Sequence, residues 1–246
     1  MEIRRIPRIT PSSTSVWFDF EGVLAKNNIS FYLFQYNPKL FFKSIIEGLI
    51  QASCNKIRDW RKELRKELIM ECKRLYESEL GPTQLYELGK WTFKLQPEEH
   101  KRSLMDLLKL LKKDGYDMYI VSSASKRIVY GFLRSLPREL NFEQENVFAS
   151  EDKFLDGYEK MMVIESIKNR SKKKIIGVGD SSNDEMALEK SDVACVISSP
   201  SHKLMPCKTI KPYIFKDLAS LKCFFDAIST DYNQAFSNYT DLKIKV

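Results

Sequence analysis

Four short apolar runs, at residues 15–20, 117–122, 174–179 and 192–197, end in glycine, serine or acidic residues, and stretches of helical periodicity lie between them. A run without polar alternation suits a strand buried on both faces, which is the condition of a parallel sheet covered by helices. Weaker strand candidates stand at 147–150 and 212–215, and helices are expected at 97–113, 125–135, 159–169 and 183–189. Strand and helix in alternation specify an α/β chain with a doubly wound, Rossmann-like, mostly parallel sheet flanked by helices.

One stretch breaks the alternation. From about residue 28 to residue 95 no strand pattern occurs, only helical spacing. Over 56–80 the apolar positions Ile57, Trp60, Leu64, Leu68, Cys72 and Leu75 or Tyr76 form one stripe, with Arg58, Arg61, Lys62, Arg65 and Lys66 off it. Gly81-Pro82 ends that helix, and Thr83 is expected to cap the next. The chain therefore divides into a basic N-terminal arm (1–14), an α/β core (15–27 and 96–225), a helical insert after the first strand (28–95) and a C-terminal tail (226–246).

Composition excludes several classes. With 43% hydrophobic residues, nine glycines and nine prolines among 246, the chain is neither disordered nor collagen-like. Five cysteines, an odd number with no C-x-x-C, suit reduced thiols and a cytoplasmic location. Two separated histidines, His100 and His202, do not make a zinc cluster. The most apolar stretch, 31–50, is interrupted by Asn37-Pro38 and lysines, so no membrane span is expected, and the N-terminus lacks the apolar run of a secretory signal. A net charge of +7 favours anionic partners: phosphorylated metabolites, or through the basic side of 56–73 a peripheral anionic surface. No nucleic-acid-reading motif accompanies it.

Two acidic motifs carry the chemistry. The first run delivers Asp19-Phe20-Glu21-Gly22 to the carboxyl edge of the sheet, where open α/β sheets bind ligands. One carboxylate there can attack phosphorus or bind a cation while the other moves protons. The third run delivers Gly179-Asp180-Ser181-Ser182-Asn183-Asp184 to the same edge, and three or four oxygen ligands suit Mg2+. Between them in sequence, Ser122-Ser123 offers a hydroxyl and backbone N–H groups near a helix start, and Lys160 offers an ammonium. Taken singly, a strand-end serine or a helix-start lysine is usually a surface residue. Their order between two acidic motifs is what singles them out.

In that order the sequence resembles the haloacid-dehalogenase-like (HAD) hydrolase superfamily, specifically its phosphoserine-phosphatase-like branch. The resemblance rests on DFEGVL at 19–24, IVSS at 120–123, Lys160 and GDSSND at 179–184, and extends from about residue 16 to 221. It implies that the helical insert is a cap domain and that the protein is a phosphatase acting on a small phosphate ester. It further implies that Asp19 is the nucleophile, forming an aspartyl-phosphate, and that Glu21 is the acid and base. Asp19, Asp180 and the main-chain carbonyl of Glu21 would hold Mg2+, with Asp184 ligating it or orienting its waters. Ser122 and Lys160 would hold the phosphoryl group, with Gly22, Ser123 and Asn183 beside the substrate.

The chain departs from the branch in two places. Most phosphatases of the superfamily read Asp, Gly, Thr where this chain reads Glu21, Gly22, Val23. The D-x-E-G-V-L run is similar to that of bifunctional phosphoserine phosphatases and homoserine phosphotransferases, so phosphotransfer to an alcohol is an alternative outcome, and a catalytically impaired binding protein is another. The acid that recognises the amino group of phosphoserine has no counterpart in Lys26-Asn27-Asn28-Ile29.

Overall fold

The sheet is all parallel. In a computed structural model describing residues 9–27, 29–54, 76, 78–151, 155–198 and 211–229, the strands are β1 Thr14–Phe18, β2 Asp117–Ser125, β3 Val147–Ser150, β4 Lys174–Gly179, β5 Val193–Ile197 and β6 Tyr213–Phe215. Their order is β3-β2-β1-β4-β5-β6, and each neighbouring pair runs parallel. This is the doubly wound order, with its switch point at β1, where the chain turns from one edge of the sheet to the other.

Alternate residues of each strand serve opposite faces. Val16, Phe18, Ile120, Ile176, Val178 and Cys195 pack into one core. Trp17, Tyr119, Val121, Ile175, Ala194 and Val196 pack into the other. Covering the second face are α6 Gly157–Ser171 and α7 Glu185–Lys190, through Ile164, Ile167, Ala187 and Leu188. Covering the first are α4 Glu98–Asp114, α5 Lys126–Leu133 and α8 Leu218–Ser229. In α4 the buried residues Leu104, Leu107, Leu108 and Leu111 recur at three- and four-residue spacing, which puts them on one stripe.

The insert contributes α1 Ile29–Tyr36, α2 Pro38–Cys54 and α3 Pro82–Lys94. The helix expected over 56–80 lies outside the described residues except at its end, as do residues 1–8 of the arm and 230–246 of the tail. Thr83 does not cap α3. The helix starts two residues earlier than that cap would place it, at Pro82, with Gly81 in the cap position. Proline at the first helical position is pre-set in φ and gives up an N–H that has no partner there. The Gln84 side chain reaches back to accept the Gly81 N–H at 3.0 Å.

Where the chain leaves the core and returns to it, one buried side chain ties the two crossings. Gln96, 3% exposed, accepts the Lys26 N–H at 2.9 Å and donates to Tyr32 Oη at 2.7 Å and to the Thr92 carbonyl at 2.9 Å.

Helix α3 lies along α5 at a distance only glycine permits. A Cβ on Gly89 would stand 2.1 Å from the Ile128 carbonyl oxygen, and one on Gly131 would stand 2.0 Å from that of Tyr86. Both obstacles are backbone, so relief requires the helices to separate. Gly131→Ala is expected to lower stability by about 1–3 kcal/mol through overpacking, read as a shift in the urea midpoint. A midpoint unchanged from that of the parent chain would contradict the close approach.

Candidate active site

The topology sets two acidic turns side by side. Strand β1 ends at Phe18, paired with Val178 of β4, and the Asp19 N–H donates to the Val178 carbonyl at 2.9 Å. Asp19 and Asp180 thus leave adjacent strands at their carboxyl edge. Oxygens of Asp19, Asp180 and Asp184 all lie within 4.8 Å of one another, the one cluster of three such ligands found among the described residues.

Beyond β1 the chain folds into a tight loop. The Gly22 N–H donates to the Ala25 carbonyl at 2.7 Å, and the Ala25 N–H to that of Phe20 at 2.8 Å. Gly22 has φ +83°, and a Cβ there would stand 2.0 Å from Asp180 Oδ2. Glycine is required twice over, for the left-handed backbone and for the space the Asp180 carboxylate fills. Glu21 turns toward the insert: its Oε1 accepts the N–H of Ile29, the first residue of α1, at 2.8 Å.

Lys160 is the centre of the charge arrangement. Asp156 caps α6, accepting the N–H groups of Tyr158 and Glu159 at 2.8 and 3.1 Å, which fixes the helix start and aims its fourth residue into the site. Lys160 is 1% exposed, and its Nζ lies 2.9 Å from Asp19 Oδ1 and 2.7 Å from Asp184 Oδ1. The other Asp184 oxygen accepts the N–H groups of Asp180 and Ser181 at 3.1 Å each and the Ser181 hydroxyl at 3.0 Å. Ser181 was not singled out from sequence. Its S-x-x-D spacing to Asp184, that of a capping box, was the available signal.

The serines divide. Ser122 is fully buried, and its Oγ accepts the Ala124 N–H at 3.1 Å. The hydroxyl of Ser123 is committed within the protein: it donates to the Leu155 carbonyl at 2.5 Å and accepts from Asn183 Nδ2 at 2.7 Å. Strand β2 continues past both to Ser125, with a register break between Ser122 and Ser125. Ser150, also missed, braces this turn by donating to the Ser123 carbonyl at 3.0 Å and accepting the Leu155 N–H at 2.9 Å. His100 packs against the loop after β1, its Nε2 3.0 Å from the Leu24 carbonyl oxygen.

Three carboxylates against one ammonium leave the site short of positive charge. Burial, then the charge of Asp184, push Asp19 from its ordinary 3.8 up to about 6 despite Lys160. Burial, then Asp184 and Asp19, push Asp180 up to about 9. Burial alone would lower Lys160, but the two carboxylates more than reverse this and hold its ammonium above the usual range. An all-oxygen donor set with excess negative charge fits a hard divalent cation.

The family model for haloacid dehalogenase-like hydrolases matches residues 15–192. No curated protein matches the chain in sequence. Among solved structures, the phosphoserine phosphatase from T. onnurineus is similar with a TM-score of 0.52 at 17% identity, covering 88% of this chain and 96% of that one. A probable phosphoserine phosphatase from Vibrio cholerae is similar with a TM-score of 0.58 at 12% identity, covering 90% of this chain and 67% of that one. A phosphoserine phosphohydrolase-like protein from Francisella tularensis gives 0.51 at 18% identity, with coverage of 86% and 99%. At these identities the likeness is one of fold.

Both raised carboxylates give the metal-free protein a defined pH response. The folded chain holds a proton on Asp19 between about pH 4 and pH 6, and one on Asp180 between about pH 4 and pH 9, that the unfolded chain has released, so stability falls as pH rises through this window. A divalent cation competes with those protons, and its stabilising effect grows over the same range. Melting temperatures at pH 5, 7 and 9, with EDTA or saturating Mg2+, are expected to diverge with rising pH. Parallel curves would contradict the shared site. In Gly22→Ala the gap between the two curves is expected to close, because the new methyl displaces the Asp180 carboxylate.

Proposed function

The chain belongs to the haloacid dehalogenase-like hydrolase family, and from that premise we propose that it is a Mg2+-dependent phosphatase cleaving a small phosphate monoester through an aspartyl-phosphate. The observation that carries this reading is the buried contact of Lys160 with Asp19, beside Asp180. It pairs a nucleophilic carboxylate with a cation site and an ammonium able to meet phosphoryl oxygens.

Asp19 attacks phosphorus with a carboxylate oxygen, the ester P–O bond breaks, and its electron pair leaves on the alcohol oxygen, which takes a proton from Glu21. Glu21 then removes a proton from water. That water attacks phosphorus, and the bond to Asp19 breaks, releasing phosphate and restoring the carboxylate. Lys160 and Ser122 hold the phosphoryl oxygens and offset charge in both transition states. Gly22 and Asn183 lie beside the substrate, and Ser123, its hydroxyl held by Leu155 and Asn183, contributes backbone to that rim. Asp19, Asp180 and the Glu21 main-chain carbonyl would hold the cation. Asp184, whose two oxygens already take four donors, holds the loop and orients waters. A bound Mg2+ would supply positive charge that lowers the repulsion between an anionic nucleophile and an anionic substrate.

Glu21 departs from the Asp of most relatives, and its bond to Ile29 supports a reason. The extra methylene lets the side chain span to the first turn of the insert, so the proton carrier is steadied by the helices we assign as the cap. The same residue favours a second reading, transfer of the phosphoryl group from Asp19 to an acceptor alcohol. Phosphoserine specificity, named for two of the neighbours, is not carried over, because the segment after Asp19-Phe20-Glu21-Gly22 offers Lys26 and Asn27 and no acid to meet an ammonium. The free Cys195 and Cys223 accord with a reducing cytoplasm.

Phosphate release from p-nitrophenyl phosphate is expected to require Mg2+ and to fall at least about a thousandfold in Asp19→Asn, as for loss of other nucleophiles. Turnover surviving that substitution would refute the assigned nucleophile. With acceptor alcohols added, a new phosphate ester supports transfer, and inorganic phosphate as sole product dismisses it.

A further inference from the structure

Glu21 reaches the insert through a main-chain N–H, and two buried side chains fix where that N–H stands. The donor belongs to Ile29, which opens α1. The first N–H groups of a helix have no carbonyl partner within it, and a carboxylate that accepts one also gains from the positive end of the helix dipole. The place of the Glu21 carboxyl therefore follows the first turn of α1.

That turn is held from both crossings between core and insert. Tyr32, one turn further along α1 and 0% exposed, turns its Oη back to accept the Asn27 N–H at 3.3 Å. Gln96, on the returning crossing, donates to the same oxygen at 2.7 Å and accepts the Lys26 N–H at 2.9 Å. Its Nε2 also donates to the Thr92 carbonyl in the last turn of α3. Burial of Ile29, Tyr32 and Leu33 is enough to keep α1 against the core. Apolar packing is non-directional, however, and does not select a register as hydrogen bonds do. A satisfied polar network in a buried place specifies one arrangement. We propose that Tyr32 and Gln96 are positioning residues for Glu21. They set α1 against the loop after β1 and, through the Ile29 N–H, set the carboxyl that protonates the leaving oxygen. The proposal rests on the reading of Glu21 as proton carrier.

Leaving-group chemistry tests it. When the ester P–O bond breaks, its electron pair leaves on oxygen, and the more basic that oxygen, the more the step gains from a proton delivered in the transition state. Phenolate, whose conjugate acid has a pKa of about 10 like that of tyrosine, needs that proton far more than p-nitrophenolate does. The quantity to measure is kcat/KM for phenyl and p-nitrophenyl phosphate, with circular dichroism and melting temperature as controls of folding. Tyr32→Phe, which keeps the ring and removes the hydroxyl, is expected to lower the value for phenyl phosphate at least about tenfold more than that for p-nitrophenyl phosphate. Gln96→Met is expected to give the same selective loss, and decides the matter where Tyr32→Phe folds poorly. In a Glu21→Gln background the selective loss is expected to vanish, because the proton it depends on is already gone. Equal losses on both esters, no loss, or a selective loss that persists in the Glu21→Gln background would overturn the positioning role. Glu21→Gln alone separates the two failures. If it causes no selective loss, the proton-carrier reading falls and this proposal with it. If it does, and neither Tyr32→Phe nor Gln96→Met follows, only the positioning role is refuted.

Discussion

Lys160 sits between two buried carboxylates, and the rest of the site depends on that bridge. An ammonium brought this far from water is costly unless it is paired, and Asp19 and Asp184 pair it on two sides. The reverse also holds, since without Lys160 three acids would face one another in a low-dielectric pocket. Removing one member of a buried ion pair typically costs about 3–5 kcal/mol, because the partner remains buried and unmatched. The bridge also links elements from distant parts of the chain: the turn after β1, the start of α6 and the turn after β4. It holds the Asp19 carboxylate in place, since the same oxygen that meets Lys160 accepts the Phe20 N–H at 2.8 Å.

The sheet order makes this convergence possible. Because β1 and β4 are neighbours, their carboxyl ends present Asp19 and Asp180 together although 161 positions of sequence separate them. Gly22 then lets the first loop close against the Asp180 carboxylate. The remaining excess of negative charge is what a divalent cation would relieve, and it adds to the burial that chiefly raises both carboxylates. The acids that crowd around Lys160 are thus the same groups that would bind a divalent cation.

The strands were legible because a parallel sheet covered on both faces demands uninterrupted apolar runs, and 174–179 and 147–150 match their strands at both ends. The β2 run was read short, to 122, because its last residues are serines. These continue the strand through a register break that no hydrophobic pattern signals. Asp19 and Asp180 were legible from their place just past apolar runs. The burial of Lys160 was not, since a lysine near a helix start is ordinarily wet and only the tertiary position of two acids draws it in. The commitment of the Ser123 hydroxyl was equally hidden, because its partners, Leu155 and Asn183, are 32 and 60 residues away. Gly89 and Gly131 likewise gave no local sign of the helix contact they permit.

The central claim is that Asp19 accepts phosphorus beside a cation it shares with Asp180. A crystal structure of the protein soaked with Mg2+ and beryllium fluoride tests it directly. The account predicts a trifluoroberyllate group on an Asp19 carboxylate oxygen, with Lys160 against its fluorines and a cation ligated at about 2.1 Å by Asp19 and Asp180. A cation bound away from these two side chains, or the fluoride complex formed on another residue, would contradict it.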